Sequence, residues 1–206
     1  MVTSQEISIL IPTLNRSGFL ERTLRYYDLL KFQGKILIGD SSSGNHASKN
    51  LQTVNRYKKN LDLDLIDCPR PEQKAKVDWI GFSGEAIAFK KLLRLVKTEF
   101  VVASGDDDFL IPQSLLECAK ALDKTPGYSG FCGARLDFEV SNDLDTGEVS
   151  YVKRIPYYAI ESDKGVDRWK TYAEHAICPL YSVIRTKDWL EVYEHFDRVS
   201  LRYIGS

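Results

Sequence analysis

The chain has 206 residues, 28% of them charged, with a formal net charge of -1, which suits one domain able to bury roughly 70% of its unfolded surface. A balance this close to neutral offers no global field for nucleic acid or an anionic membrane, so partners are sought in local motifs. Cys68, Cys118, Cys132 and Cys178 form no C-x-x-C pair, which argues against a zinc knuckle or a disulfide scaffold and for a reducing compartment.

Ile7 to Ile11 is a short apolar run stopped by Pro12 and reads as a buried first strand. After a loop from Thr13 to Ser17, apolar residues at Leu20, Leu24, Tyr27 and Leu30 recur at helical spacing and complete a first β-α unit. Lys35 to Gly39 predicts a second strand ending at Asp40, followed by a Ser/Gly loop and a polar helix reaching about Tyr57. Leu61, Leu63 and Leu65 alternate with Asp62 and Asp64, the pattern of a strand with one wet face near a sheet edge. A mixed stretch from Pro69 to Gly84 holds Lys74, Lys76 and Trp79, and Ala86, Phe89, Leu93 and Val96 then mark another amphipathic helix.

Phe100 to Ala103 is the most continuously apolar strand and is expected in the middle of a parallel sheet. Pro112 suits the first turn of the next helix, which directs Leu115, Ala119 and Leu122 inward. The character changes after about Gly127: strands are expected at Tyr128 to Arg135 and Leu136 to Val140, then a turn at Asn142 to Gly147 and a return arm at Val149 to Ile155. A helix around Val166 to Ala176, a strand at Leu180 to Arg185 and a helix at Lys187 to Phe196 follow. The last residues, Val199 to Ile204, are strand-like, and a longer native protein is expected. No leader-like segment and no apolar run of roughly 18 residues occurs, so the expectation is a soluble, cytoplasmic chain.

Between the fourth strand and Pro112 stand Asp106, Asp107 and Asp108. Three adjacent carboxylates repel one another and lose solvation beside apolar segments, so they need a compensating cation or an exit into water. Carboxylate oxygens suit hard divalent ions, and a site with few protein ligands completes its shell with water and substrate phosphates. The alternative is a solvated acidic turn. Helix capping does not explain the triplet, because Asp108 lies four residues before Pro112.

Ile7 to Arg16 resembles the I-P-T-x-N-R opening of family 2 glycosyltransferases of the GT-A fold, and Gly105 to Pro112 is similar to their D-x-D region with its trailing proline, here in a DDD-F form. Ile38 to Gly44 resembles the family's second-strand segment, and Gly84, Ala86 and Ala88 stand where its G-x-A-x-A-like helix begins. The likeness covers residues 5 to 123 well and the remainder by architecture. It implies an α/β fold with a mostly parallel central sheet flanked by helices and a mixed second half. One glycosyltransferase domain would span 1–206, with a nucleotide-sugar-binding half at 1–125 and an acceptor-side half at 126–206.

The activity so implied is metal-dependent transfer of a sugar from a nucleotide-diphosphate sugar, UDP-linked, to a saccharide or lipid-linked acceptor, with peripheral membrane association allowed and no nucleic acid involved. Mn2+ or Mg2+ would be held by Asp106, Asp107 and Asp108, with Asp107 and Asp108 ahead of Asp106, and the first two aspartates would also meet the donor. Asp40 would accept a hydrogen bond from the base, or else cap the Ser-rich turn. Pro12, Thr13 and Asn15 would lie beside the nucleoside; Arg16 would approach phosphate or cover the first helix; Lys76 and Trp79 would border the donor pocket or lie on the surface.

The chain departs from the family in lacking an E-D pair in its second half, where an acidic residue usually deprotonates the acceptor. Glu174, His175 and Asp197 are the available bases, although His175, like His195, also reads as a surface helix position. A degenerate domain that binds nucleotide or a partner without turnover is the alternative function. A nucleotidyltransferase or a Rossmann dehydrogenase would want a Gly-rich loop after the first strand, and Pro12-Thr13-Leu14-Asn15 is not one.

Overall fold

The computed structural model describes residues 2–69, 84–140, 147–156, 158–175 and 179–199, with the side chains of 84–86, 179 and 195–199 outside that description. In chain order the elements are β1 (Ile7–Thr13), α1 (Ser17–Leu29), β2 (Lys35–Asp40), α2 (Gly44–Tyr57), β3 (Asp62–Asp67), α3 (Gly84–Leu93), β4 (Phe100–Ala103), α4 (Pro112–Lys124), β5 (Gly130–Phe131), β6 (Arg135–Val140), β7 (Val149–Ile155), α5 (Gly165–His175), β8 (Val183–Arg185) and α6 (Thr186–Val199). Six strands form one sheet in the order β3-β2-β1-β4-β8-β5, and β6 and β7 pair separately as a hairpin. The β3-β2-β1-β4 portion is parallel, while β8 runs antiparallel to both β4 and β5. The expected α/β class and mostly parallel sheet are therefore the observed ones.

Alternation along the strands sends neighbouring side chains to opposite faces. Ile7, Ile9 and Ile11 of β1, Ile36 and Ile38 of β2 and Phe100 and Val102 of β4 pack with Leu20, Leu24 and Tyr27 of α1 and Leu115, Ala119 and Leu122 of α4. On the other face Leu10, Leu37, Val101 and Ala103 meet Phe89, Leu92 and Leu93 of α3, with Trp189 and Tyr193 of α6 against them. Each aliphatic or aromatic side chain so buried stabilises the fold by roughly 1.5–3 kcal/mol. Parallel strands covered on both sides have this unbroken apolar character, which is why β1, β2 and β4 were readable as strands.

Several boundaries differ from expectation. Pro12 does not stop β1, which continues to Thr13 with Pro12 opposite Gly39. Pairing with β4 ends at Leu10 and Ala103, so the missing N–H of Pro12 lies beyond that ladder. Leu30 is not on the buried face of α1; it is half exposed, and Phe32 fills the core instead after Lys31 adopts a positive φ of 51°. Tyr128 to Arg135 is not one strand, since only Gly130 and Phe131 pair with β8, and Leu180 belongs to a 3-10 turn, Pro179–Tyr181, that precedes β8. Of the turn expected from Asn142 to Gly147, residues 142–146 lie outside the described residues, as do residues 200–204 of the strand-like run expected from Val199 to Ile204. Cys68 and Cys118 are free thiols. Among the described residues no helix is long and apolar enough to cross a membrane.

Candidate active site

Parallel strands deliver their carboxyl ends to one edge, where ligands bind in open α/β sheets. Here that edge carries Thr13 from β1, Asp40 from β2 and, just after β4, the aspartate triplet. The three aspartates are not equivalent. Asp106 is buried, and its Oδ2 accepts a 2.6 Å hydrogen bond from Thr13 Oγ1 while Oδ1 lies 3.1 Å from Arg16 Nη1. Its backbone carbonyl accepts from Thr23 Oγ1 of α1 at 2.7 Å. Burial pushes the Asp106 carboxyl above its ordinary value, and the Thr13 hydrogen bond and the Arg16 charge oppose that push.

Asp107 Oδ2 accepts from Arg16 Nη2 at 2.7 Å, and Asp108 Oδ2 accepts from the Tyr181 hydroxyl at 2.7 Å. Both carboxylates lean over Gly105. A Cβ placed on that glycine would meet Asp108 Oδ2 at 2.6 Å and Asp107 Oδ1 at 2.8 Å. The absent side chain is thus the space into which two carboxylate oxygens converge. Among the described residues no three His, Cys, Asp or Glu side chains form a metal-holding group. Two converging carboxylates with open positions suit a hard divalent ion that takes its other ligands from water and phosphate, so the residues present fit Mn2+ or Mg2+.

Arg16 supplies the positive charge that the triplet requires. Its guanidinium bridges Asp106 and Asp107 and lies over the Phe19 ring, 4.2 Å from the centroid. It stands at the start of α1 and faces the carboxylates at once.

The β1 and β2 loops are tied together beside this group. Asn15 takes a left-handed φ of 54°, tolerable for asparagine, and donates its N–H to Ser42 Oγ at 2.7 Å while Oδ1 accepts from Ser43 N–H at 3.1 Å. Buried Asn50 of α2 donates to the same Ser42 Oγ at 3.2 Å. Asp40 is buried, and its Oδ1 accepts from Ser42 N–H at 2.9 Å. The turn role foreseen for Asp40 is therefore present in the structure. Pro12 and Thr13 close β1 in register with Gly39 and Asp40.

Lys76 and Trp79 lie outside the described residues. Glu174 and His175 end α5; Glu174 is 3.7 Å from Lys170, and His175 stacks on Tyr158 with ring centroids 3.7 Å apart. Among the described residues neither bonds to the triplet. The side chains of His195 and Asp197 lie outside the described residues.

Tyr181 and Arg22 carry no motif in the sequence, and the structure brings both to the triplet. Arg22 reaches the Asp107 carbonyl at 3.4 Å and lies over Phe19 and Phe109, and Phe109 stacks on Phe138 of β6 at 6.1 Å. Phe109 was legible as part of the DDD-F run. Tyr181 stands 73 residues from Asp108 and had no local signal.

The chain is similar in fold to Staphylococcus aureus TarS 1-349, with a TM-score of 0.54 at 16% identity over 91% of this chain and 49% of that one. TarS 1-349 in complex with UDP gives 0.53 at 15% identity over 91% and 48%. A mannosyltransferase from Pyrobaculum calidifontis in complex with GDP-Man and Mn2+ is similar over 63% of this chain and 36% of that one, at 21% identity and a TM-score of 0.46. No family model and no curated protein matches the chain. The chain spans about half the length of the TarS structures it resembles. At such identities the likeness establishes the fold alone, a mixed α/β architecture with a mostly parallel central sheet flanked by helices, shared with the TarS structures.

Proposed function

We propose that the chain transfers a sugar from a UDP-linked donor to a saccharide or other acceptor, with Mn2+ or Mg2+ held by Asp107 and Asp108. The observation that carries the reading is the convergence of those two carboxylates over Gly105 at the ligand edge of a glycosyltransferase-like sheet. A divalent ion bound there supplies charge to the leaving diphosphate without a proton.

The remaining work falls to the chain's own side chains. Asp106, with both oxygens engaged by Thr13 and Arg16, anchors the triplet to β1 and is assigned to the donor side of the site. Arg16 balances the carboxylates of Asp106 and Asp107 and is assigned to the donor phosphates, which its guanidinium would meet as a charged hydrogen-bond donor. Asp40 accepts a hydrogen bond from the base, for which uracil N3–H is the simplest donor; similarity to a UDP complex supports that choice. Asn15, by locking the β1 and β2 loops, shapes the nucleoside wall.

Calorimetric and thermal-shift titration with UDP and GDP, each with Mn2+ or with chelator, tests the reading. UDP with Mn2+ should raise the melting temperature, by an amount equivalent to about 2.7 kcal/mol at a hundredfold excess over Kd, and chelator should remove most of the effect. No response to any nucleoside diphosphate in the presence of Mn2+ would overturn it. Binding without transfer to any acceptor would support the alternative of a nucleotide-binding domain without turnover.

A further inference from the structure

We infer that Tyr181 is a positioning residue for Asp108, holding its carboxylate beside that of Asp107 for a divalent cation; the inference rests on the proposed metal reading. The topology brings it there. Because β8 is antiparallel to β4, with Phe100 opposite Arg185 and Val101 opposite Ile184, each step back along β8 is a step forward along β4. The turn Pro179–Tyr181 before β8 therefore arrives at the loop that follows β4, where the aspartates lie.

The contact falls on one particular atom. The Tyr181 hydroxyl donates to Asp108 Oδ2 at 2.7 Å, and Oδ2 is the oxygen lying 2.6 Å from the point that Asp107 Oδ1 reaches at 2.8 Å. Adjacent carboxylates left to themselves rotate apart, since like charges at this range repel. Arg16 restrains Asp107 and Tyr181 restrains Asp108, by different chemistry. A guanidinium competes with an incoming cation for the same carboxylate, whereas a neutral phenol donates one hydrogen bond and brings no charge. Tyr181 can thus stay on Asp108 while the ion binds, and Arg16 cannot stay on Asp107 unchanged. The Tyr181 ring is itself backed by Arg135 of β6, whose guanidinium lies 5.8 Å from its centroid. A side chain of the second half thereby orients a cation ligand of the first.

The test is Tyr181→Phe, which keeps the ring and removes only the donor. Mn2+ affinity in the presence of UDP is read from the electron paramagnetic resonance of free Mn2+, alongside UDP affinity in chelator and the melting temperature. Loss of a partner that orients a metal ligand costs on the order of 10–100-fold in metal affinity. We expect a loss in that range, with UDP affinity in chelator and melting temperature unchanged. In an Asp108→Asn background the same substitution should have no further effect. Equal Mn2+ affinity in wild type and Tyr181→Phe overturns the inference and leaves the metal reading standing, as does a full loss that persists beside Asp108→Asn. Failure of the wild type to bind Mn2+ with UDP overturns both.

Discussion

Two segments rich in strand-forming residues end in opposite environments. Phe100-Val101-Val102-Ala103 of β4 is buried throughout, while Val149-Ser150-Tyr151-Val152 of β7 is exposed along its length. Both segments have the β-branched and aromatic residues that favour extended backbone. The difference is in what covers them. The β4 strand has β1 and β8 on its flanks and helices on both faces, whereas among the described residues β7 pairs with β6 alone. Strand-forming composition thus sets local conformation in both places, and the surrounding layers decide whether it becomes core. The site lies just beyond the end of β4, with Asp106 buried and Tyr181 arriving from the turn before β8, its ring beside Arg135 of the hairpin.

The sharpest way to break this comparison is to truncate an apolar side chain in each region. Phe100→Ala removes a fully buried ring and should cost about 3–5 kcal/mol in urea unfolding. Leu136→Ala, on the exposed β6 strand, should change stability by only about 0.5 kcal/mol. Comparable losses from the two would mean that the hairpin is covered in solution and that the contrast is false.

Next in size is Gly105→Ala. The added Cβ would stand within 3 Å of oxygens on Asp107 and Asp108, and these are ends of side chains that can swing aside at small cost to the fold. The pair would then be split. We expect metal-dependent UDP affinity to fall on the order of 10–100-fold with a change of only a few degrees in melting temperature. A variant that binds Mn2+ and UDP normally would remove the cradle as the basis of the metal reading.

Asp40→Ala should act more modestly and at the base. Preference for UDP over other nucleoside diphosphates should drop about tenfold, roughly 1.4 kcal/mol, the range of a hydrogen bond to a charged group. Because Oδ1 also holds the Ser42 N–H, some stability should be lost as well. Equal weakening for every nucleotide would assign Asp40 to the turn alone.

How far the site was legible follows from where its information is stored. β1, β2, β4 and the triplet carry it locally, in apolar runs, a proline and adjacent charges. The partition among the three aspartates was not legible, because it depends on Thr13 and Arg16 reaching Asp106 from 93 and about 90 residues away. Tyr181 was hidden for the same reason, an antiparallel return strand that no neighbouring residue announces. Pro12 misled in the other direction: a proline reads as a strand end, yet at the end of the β4 ladder its missing donor costs nothing.

The smallest expected effect tests whether Arg16 is the charge that makes a buried Asp106 tolerable. Burial raises the folded-state carboxyl above its ordinary value, and Thr13 and Arg16 lower it. A raised value means that the folded state keeps the proton where the unfolded chain has lost it. The stabilising contribution is therefore complete below the ordinary carboxylate value and is lost as pH rises through the folded-state value. Asp106→Asn cannot titrate and should flatten this part of the curve of unfolding free energy against pH. Arg16→Gln removes one of the opposing influences, so the decline should extend to higher pH than in the wild type. In the double variant Arg16→Gln/Asp106→Asn the extension should vanish, which separates Asp106 from any change at Asp107. Urea unfolding of the four proteins across the acid range measures all of this. Superimposable profiles for wild type and Arg16→Gln would show that the 3.1 Å ion pair does not govern Asp106, leaving Thr13 as the group that keeps the buried carboxylate charged.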